Sequence, residues 1–363
     1  MKDSSLHLLP KRDAAVTRIE YIDALRGFTM ILVVLQHVAL YCLNLKGVPS
    51  FHTFLIQVRM PMFFLISGFM VYKMGLEWNV SYTLGFLKKK FPVQIVSTLC
   101  FFLIYVHCKG FDVWQSLTNE FKVGYWFTYT LFLYYIFYSI IRIVFKKNVD
   151  LVVVLFAFLF YAIAYPPFYE SIPLEMEVKT LLGISHWYYC FFFLLGTLFR
   201  KHFIVVQALM DNKYWICGCL LVYFLLNVYD DCLPQTGVIH GVSGLCKKIS
   251  GICVLFSFFR LYQQTFSKKF FLGRLLQYIG THTLDIYFLH YFLLPVQLSS
   301  VCWVFEKHPM PILELCFSLV ISLIVIGGCL MIGNVIRLSP ILAHLLFGVP
   351  RSNNARFKKE DGR

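Results

Sequence analysis

Long apolar stretches recur along this chain, and the short segments between them carry most of its basic residues. A helix crossing the hydrocarbon core of a bilayer needs about 20 mostly apolar residues. Candidate spans run over residues 27–45, 54–74, 91–106, 124–145, 151–165, 187–199, 214–229, 250–262, 276–294 and 311–336. The start of the eighth is the least defined and reaches back as far as Gly241. The expected fold is therefore all-α: a polytopic integral membrane bundle of about ten transmembrane helices.

Composition agrees with that class. Charged residues make up 14% of the 363 positions, against about a quarter in soluble domains. The net charge of +14 invites a nucleic-acid reading. Placement excludes it, because the charges sit between apolar runs, where basic residues signal orientation. With the N-terminus inside, 25 of the 33 basic residues fall on the inner side and 7 on the outer, and Arg59 lies within a span. Both termini are accordingly expected in the cytoplasm. An acidic, proline-punctuated segment around Glu170, Glu175 and Glu177 is expected outside.

Most of the twelve cysteines lie within apolar runs, where a thiol acts as a small buried hydrophobe. Cys232, Cys246 and Cys302 lie nearer one face, and a pairing among them is the minor alternative. No CxxC pair or H-E-x-x-H motif occurs and the eleven histidines are scattered, so no metal is expected. The first seventeen residues are polar, and the first span is expected to serve as its own insertion signal.

An ionisable residue within a span is costly and is a functional hypothesis by default. Arg26 stands at the entrance of the first span and His37 eleven residues later. At about 100° per residue that is roughly three turns, so both side chains share one face about 16 Å apart. On spacing alone two readings stand side by side: a working pair, or an orienting arginine and a histidine bonded to a neighbouring helix. Arg59, just before Pro61, either holds an acidic group of a ligand, pairs with a carboxylate such as Asp285, or snorkels to the outer interface. Pro61 is expected to kink the second span. Ser67 and Gly68 are expected to permit close helix packing. Asp285 and His290 are five apart and point away from one another, whereas Tyr287 and His290 share a face. His186 and Trp126 each read either as a ring that stacks a sugar or as an interfacial anchor.

The stretch R-I-E-Y-I-D-A-L-R-G at 18–27, continuing to His37, resembles the opening of the membrane acyltransferase 3 family, whose hallmark is a basic residue, ten others and then His in the first helix. In order along the chain, M-P-M-F-F-L-I-S-G-F at 60–69, F-L-K-K-K-F-P at 86–92, Y-W-F at 125–127, F-F-L-L-G-T at 192–197 and I-G-T-H-T-L-D-I-Y-F-L-H at 279–290 resemble its later landmarks. The sequence departs from the pattern near the third helix. Members often carry Arg-x-x-Arg there, whereas this chain has Lys88, Lys89 and Lys90 before Gln94. Lysine keeps the charge and loses the fork that matches phosphate.

The resemblance implies an integral-membrane acyltransferase, of the O-acetyltransferase kind. It would move an acyl group, acetyl in the simplest case, from cytoplasmic acyl-CoA to a hydroxyl of a cell-surface or lipid-linked glycan. The expected location is a prokaryotic cytoplasmic (inner) membrane. The implied organisation is a cytoplasmic segment 1–22, a transmembrane acyltransferase domain 23–340 and a basic cytoplasmic tail 341–363. His37 and Arg26 are the implied catalytic pair, with Arg26, Lys88 and Lys90 on the donor and Arg59, Trp126, Tyr287 and His290 on the acceptor. Acyl-CoA enters as a substrate, and no permanently bound cofactor is implied. The rival is a secondary transporter or glycan flippase whose buried His and Arg bind a substrate. Such proteins tend to carry internal repeats, and none is visible here.

Overall fold

The computed structural model describes residues 19–43, 54, 57–234, 236–301, 305 and 310–349, and among them it holds helices and no strand. In chain order the helices are α1 (Glu20–Cys42), α2 (Arg59–Val71), α3 (Val80–Lys109), α4 (Val113–Thr118), α5 (Trp126–Val144), α6 (Val149–Ile163), α7 (Pro166–Ser171) and α8 (Met176–Leu181). They continue with α9 (Tyr188–Lys201), α10 (Phe203–Asp211), α11 (Lys213–Val228), α12 (Gly237–Leu261), α13 (Phe271–Thr281), α14 (Thr283–Leu293), α15 (Pro311–Arg337) and α16 (Pro340–Phe347).

Five of these, α1, α3, α5, α12 and α15, are long and apolar enough to cross a membrane. The pair α9 and α10 makes a sixth if counted together, although it bends by 96°. Helices α2, α6 and α11 are apolar and shorter. The chain is thus a helical membrane protein, but the ten unbroken spans expected from hydropathy do not appear as such. The predicted second span shrinks to the 13 residues of α2. Pro61 lies in its first turn, where a missing N–H costs nothing, so it starts the helix instead of kinking it. The predicted ninth span breaks at His282 into α13 and α14. Both termini and the basic tail after Pro350 lie outside the described residues.

Helix α1 is buried along most of its length, with one face turned to an internal cavity. Its acidic first turn, Glu20 and Asp23, complements the helix dipole. Two glycine seams hold the bundle closed. A Cβ on Gly27 would run into the Leu276 carbonyl, and one on Gly280 into that of Asp23, so α1 and α13 touch backbone to backbone. Gly68 and Gly196 join α2 to α9 in the same way, against Phe193 and Leu65. Small residues at such crossings let dispersion forces replace the hydrophobic drive that lipid removes.

Large apolar side chains point outward on the peripheral helices, including Phe158, Leu221 and Ile324, as lipid-facing surfaces require. In α14, Asp285 is buried and held by a bidentate pair from Arg337 of α15, Nη2 donating to Oδ1 at 2.7 Å and Nε to Oδ2 at 3.2 Å. That pair corrects the expectation that Asp285 is available to Arg59. Cys232 and Cys246 are both free thiols, and Cys302 lies outside the described residues.

Candidate active site

The expected helical face of α1 opens onto a cavity of about 1130 Å³. Arg26, Met30, Val33 and His37 all line it, which is the periodicity of one helix face. The cavity has two unlike ends. Around Arg26 gather Lys73, Lys89 and Lys90, with the buried amide of Gln94 beside them. At the other end the rings of Tyr41 and Tyr291 lie 5.9 and 4.9 Å from His37, and Arg59, Tyr105, Trp126, Tyr189 and Tyr287 line the same cavity.

Lys90 lines this cavity and Lys88 does not. Two residues turn a helix by about 200°, so Lys88 and Lys90 cannot share a face. Helix α3 reaches this end because its π turn at Pro92–Val96, where proline removes a ladder N–H, is absorbed without ending the helix.

His37 is the last α-helical residue before a second π turn, Val38–Cys42. Such turns are frequent at functional sites. Its Nδ1 lies 3.2 Å from His290 Nε2. Its Nε2 lies 2.9 Å from the Tyr291 hydroxyl. His290 Nδ1 in turn lies 2.9 Å from the Ile286 carbonyl. A carbonyl only accepts, so His290 carries its proton on Nδ1. With both rings neutral, His290 Nε2 then accepts from His37 Nδ1, leaving the His37 lone pair on Nε2, towards Tyr291 and the cavity. His290 itself is fully buried and does not line the cavity. The acceptor contact expected for it is replaced by a helix–helix hydrogen bond behind His37.

Tyr287 lines the cavity with its ring, but its hydroxyl is engaged: it donates to the Gly124 carbonyl at 3.0 Å and accepts from the Phe127 N–H at 3.2 Å. These bonds dock the 122–127 turn onto α14. Lys122, Val123 and Gly124 all have positive φ there, at 44°, 52° and 102°. At Gly124 a Cβ would overlap the Tyr291 ring, so glycine clears the space in which Tyr291 reaches His37. The buried Lys122 ammonium donates to the Leu117 and Thr180 carbonyls at 3.1 and 3.0 Å, and burial pushes its pKa down to about 8.

Trp126 lines the cavity and stacks on His186 at 4.0 Å and on Tyr189 at 5.5 Å. His186 is neither a sugar platform nor an interfacial anchor. It is buried behind Trp126, with Nε2 3.0 Å from the Glu120 carbonyl, and burial pushes its pKa down to about 4, so it stays neutral. Arg59 lines the same cavity as Trp126, Tyr189 and His37.

Tyr291, Tyr189, Lys73 and Lys89 escaped the sequence reading as site residues. Tyr291 is the immediate neighbour of His290, yet both rings reach His37, a convergence that only tertiary structure reveals. No group of three or more His, Cys, Asp or Glu gathers among the described residues.

A helical bundle with apolar side chains on its outside and His37 on the wall of an internal cavity has the architecture of an integral-membrane protein. The chain belongs to the acyltransferase 3 family: the family's acyltransferase domain matches residues 19–331, nearly its whole length. It is a membrane acyltransferase. No curated protein and no solved structure matches it.

Proposed function

We propose that the protein moves an acetyl group from cytoplasmic acetyl-CoA to a hydroxyl of a cell-surface or lipid-linked glycan, in a prokaryotic cytoplasmic membrane with both termini inside. The observation that carries this reading is His37, its Nε2 lone pair turned into a cavity whose other end, three helical turns away, holds Arg26, Lys73, Lys89 and Lys90. Coenzyme A is a multiply phosphorylated thioester carrier on an uncharged arm. Its phosphates suit the cationic end, and its arm suits the apolar stretch past Met30 and Val33.

At His37 the glycan hydroxyl is a weak nucleophile and needs a base. His37 Nε2 takes its proton as the oxygen attacks the thioester carbonyl. The carbon–sulfur bond breaks, and the proton passes from His37 to the departing sulfur, giving an ester and free thiol. His290 fixes the tautomer through Nδ1, and Tyr291 fills the Nε2 position until the acceptor hydroxyl arrives.

The test is thiol release. Purified protein in lipid nanodiscs should bind acetyl-CoA and release coenzyme A thiol when a cell-envelope glycan fraction is added, with an acetyl mass appearing on the glycan. Glycan transport into sealed vesicles without thiol release would overturn the transfer reading and favour a transporter.

A further inference from the structure

Six cationic side chains line the cavity: Arg26, Arg59, Lys73, Lys89, Lys90 and Lys109. Among the described residues no aspartate or glutamate lines it. A cleft of one sign between low-dielectric walls concentrates ligands of the other sign. Four of the six surround the donor end. Lys109 does not belong with them: it is nineteen residues beyond Lys90 on the same helix, about 28 Å along the axis. Arg59 is likewise at the start of α2, whereas Lys73 lies just past its end. The positive charge at the histidine end therefore serves something other than the donor's phosphates.

Arg59 has a definite place there. It lines the same cavity as Tyr189, Tyr291 and His37. Tyr189 continues the ring wall formed by Trp126, at an interplanar angle of 24°. A pyranose ring stacks against such a wall. The guanidinium thus shares one cavity with the surface where a sugar would lie and the imidazole where its hydroxyl would react. A charged group at this depth is costly, and arginine's planar fork matches carboxylate and phosphate.

We propose that the acyl acceptor is an anion, whose carboxylate or phosphate is held by Arg59, with Lys109 at the rim, while its ring lies on Trp126 and Tyr189 and offers a hydroxyl to His37. This rests on the acyl-transfer reading above. The negative group comes either from an acidic sugar or from the phosphate of a lipid carrier, and the two recognise Arg59 by the same chemistry.

Glycans from cells expressing the protein, compared with cells expressing His37→Ala, are analysed by intact mass spectrometry after separating lipid-extractable from polymeric material. The expected result is acetyl on a unit bearing a carboxylate or phosphate: in the polymer for an acidic sugar, confined to the lipid extract for a carrier phosphate. Acetyl on a neutral unit of an uncharged glycan overturns the inference and leaves acyl transfer standing. No acetyl difference between the two cell lines removes both. With the acetylated fraction's unmodified counterpart as acceptor, Arg59→Gln should raise the acceptor KM by roughly tenfold or more, the weight of a charge-assisted hydrogen bond. Arg59→Lys should recover part of it. A loss confined to kcat and equal for charged and neutral acceptors would assign Arg59 to the reacting carbonyl and overturn the inference.

Discussion

At one end of the cavity, Arg26, Lys73, Lys89 and Lys90 stand on long stems, and Lys73 and Lys89 are solvent-exposed. At the other, the His37 ring is bonded through both nitrogens and flanked by three further rings, Tyr41, His290 and Tyr291, within 6 Å. The first end gathers charge and leaves geometry loose. The second fixes geometry to a hydrogen-bond length. A cation on a flexible stem can be replaced by its neighbour, whereas a ring whose two nitrogens are both committed cannot. Substitutions should therefore be tolerated very unequally at the two ends, and the contrast can be tested position by position.

The largest effect is expected at His37. A general base contributes about 10²–10⁴-fold to rate, so His37→Ala should lose most turnover while thermal stability in detergent and acetyl-CoA affinity stay near wild type. His37→Gln retains a hydrogen-bonding group and cannot take a proton at neutral pH, so it should be nearly as inactive. An active, stable His37→Gln protein would mean that the histidine end binds without reacting, and the comparison would collapse.

Next comes His290, a positioning residue in this scheme. His290→Phe keeps a ring and removes the acceptor for His37 Nδ1. A loss of about 10–100-fold is expected, the range for groups that orient an imidazole, and it should fall on kcat with KM for donor unchanged. The pH–rate profile should move as well, since the proton position on His37 is no longer held. A profile identical to wild type would reduce His290 to packing.

At the cationic end effects should be smaller and of another kind. Arg26→Ala should raise the acetyl-CoA KM by roughly tenfold, as expected for one charge-assisted contact, with kcat less affected. Equal donor affinity in wild type and variant would leave Arg26 as an orientation residue. The smallest effect separates two adjacent lysines. Lys88→Ala should change donor affinity by less than about twofold, as surface substitutions do, whereas Lys89→Ala and Lys90→Ala should each weaken it more, and more so at low salt. Equal responses from all three would mean that charge near the mouth matters and the helix face does not.

Much of this contrast was legible in the sequence, because helical periodicity acts along one element. The eleven-residue spacing put Arg26 and His37 on one face, and Met30 and Val33 between them complete it. The glycines of the family-like motifs, Gly27, Gly68, Gly196 and Gly280, are among those at which backbones touch. Relations between elements were not legible. Nothing in a one-dimensional pattern tells that Asp285 is taken by Arg337, that His290 turns towards His37, or that Lys89 lines the cavity in place of Lys88. Nor does hydropathy detect the break at His282, since the apolar residues on either side read as one run. Those facts depend on which helix lies opposite, and that choice is made by packing.

The separation of the cations at one cavity end from the histidine three turns away bears on energetics across the whole membrane. In the proposed reaction the donor's phosphates remain with Arg26 and its neighbours, and only the neutral arm and acetyl group extend to His37. Moving one elementary charge through 100 mV is worth about 2.3 kcal/mol, enough to make an electrogenic step visibly voltage-dependent. Here the ester forms, the thiol keeps the proton, and no net charge crosses. Turnover in proteoliposomes should accordingly stay flat as the membrane potential is clamped from one sign to the other, which makes this acetylation independent of the cell's electrical energy.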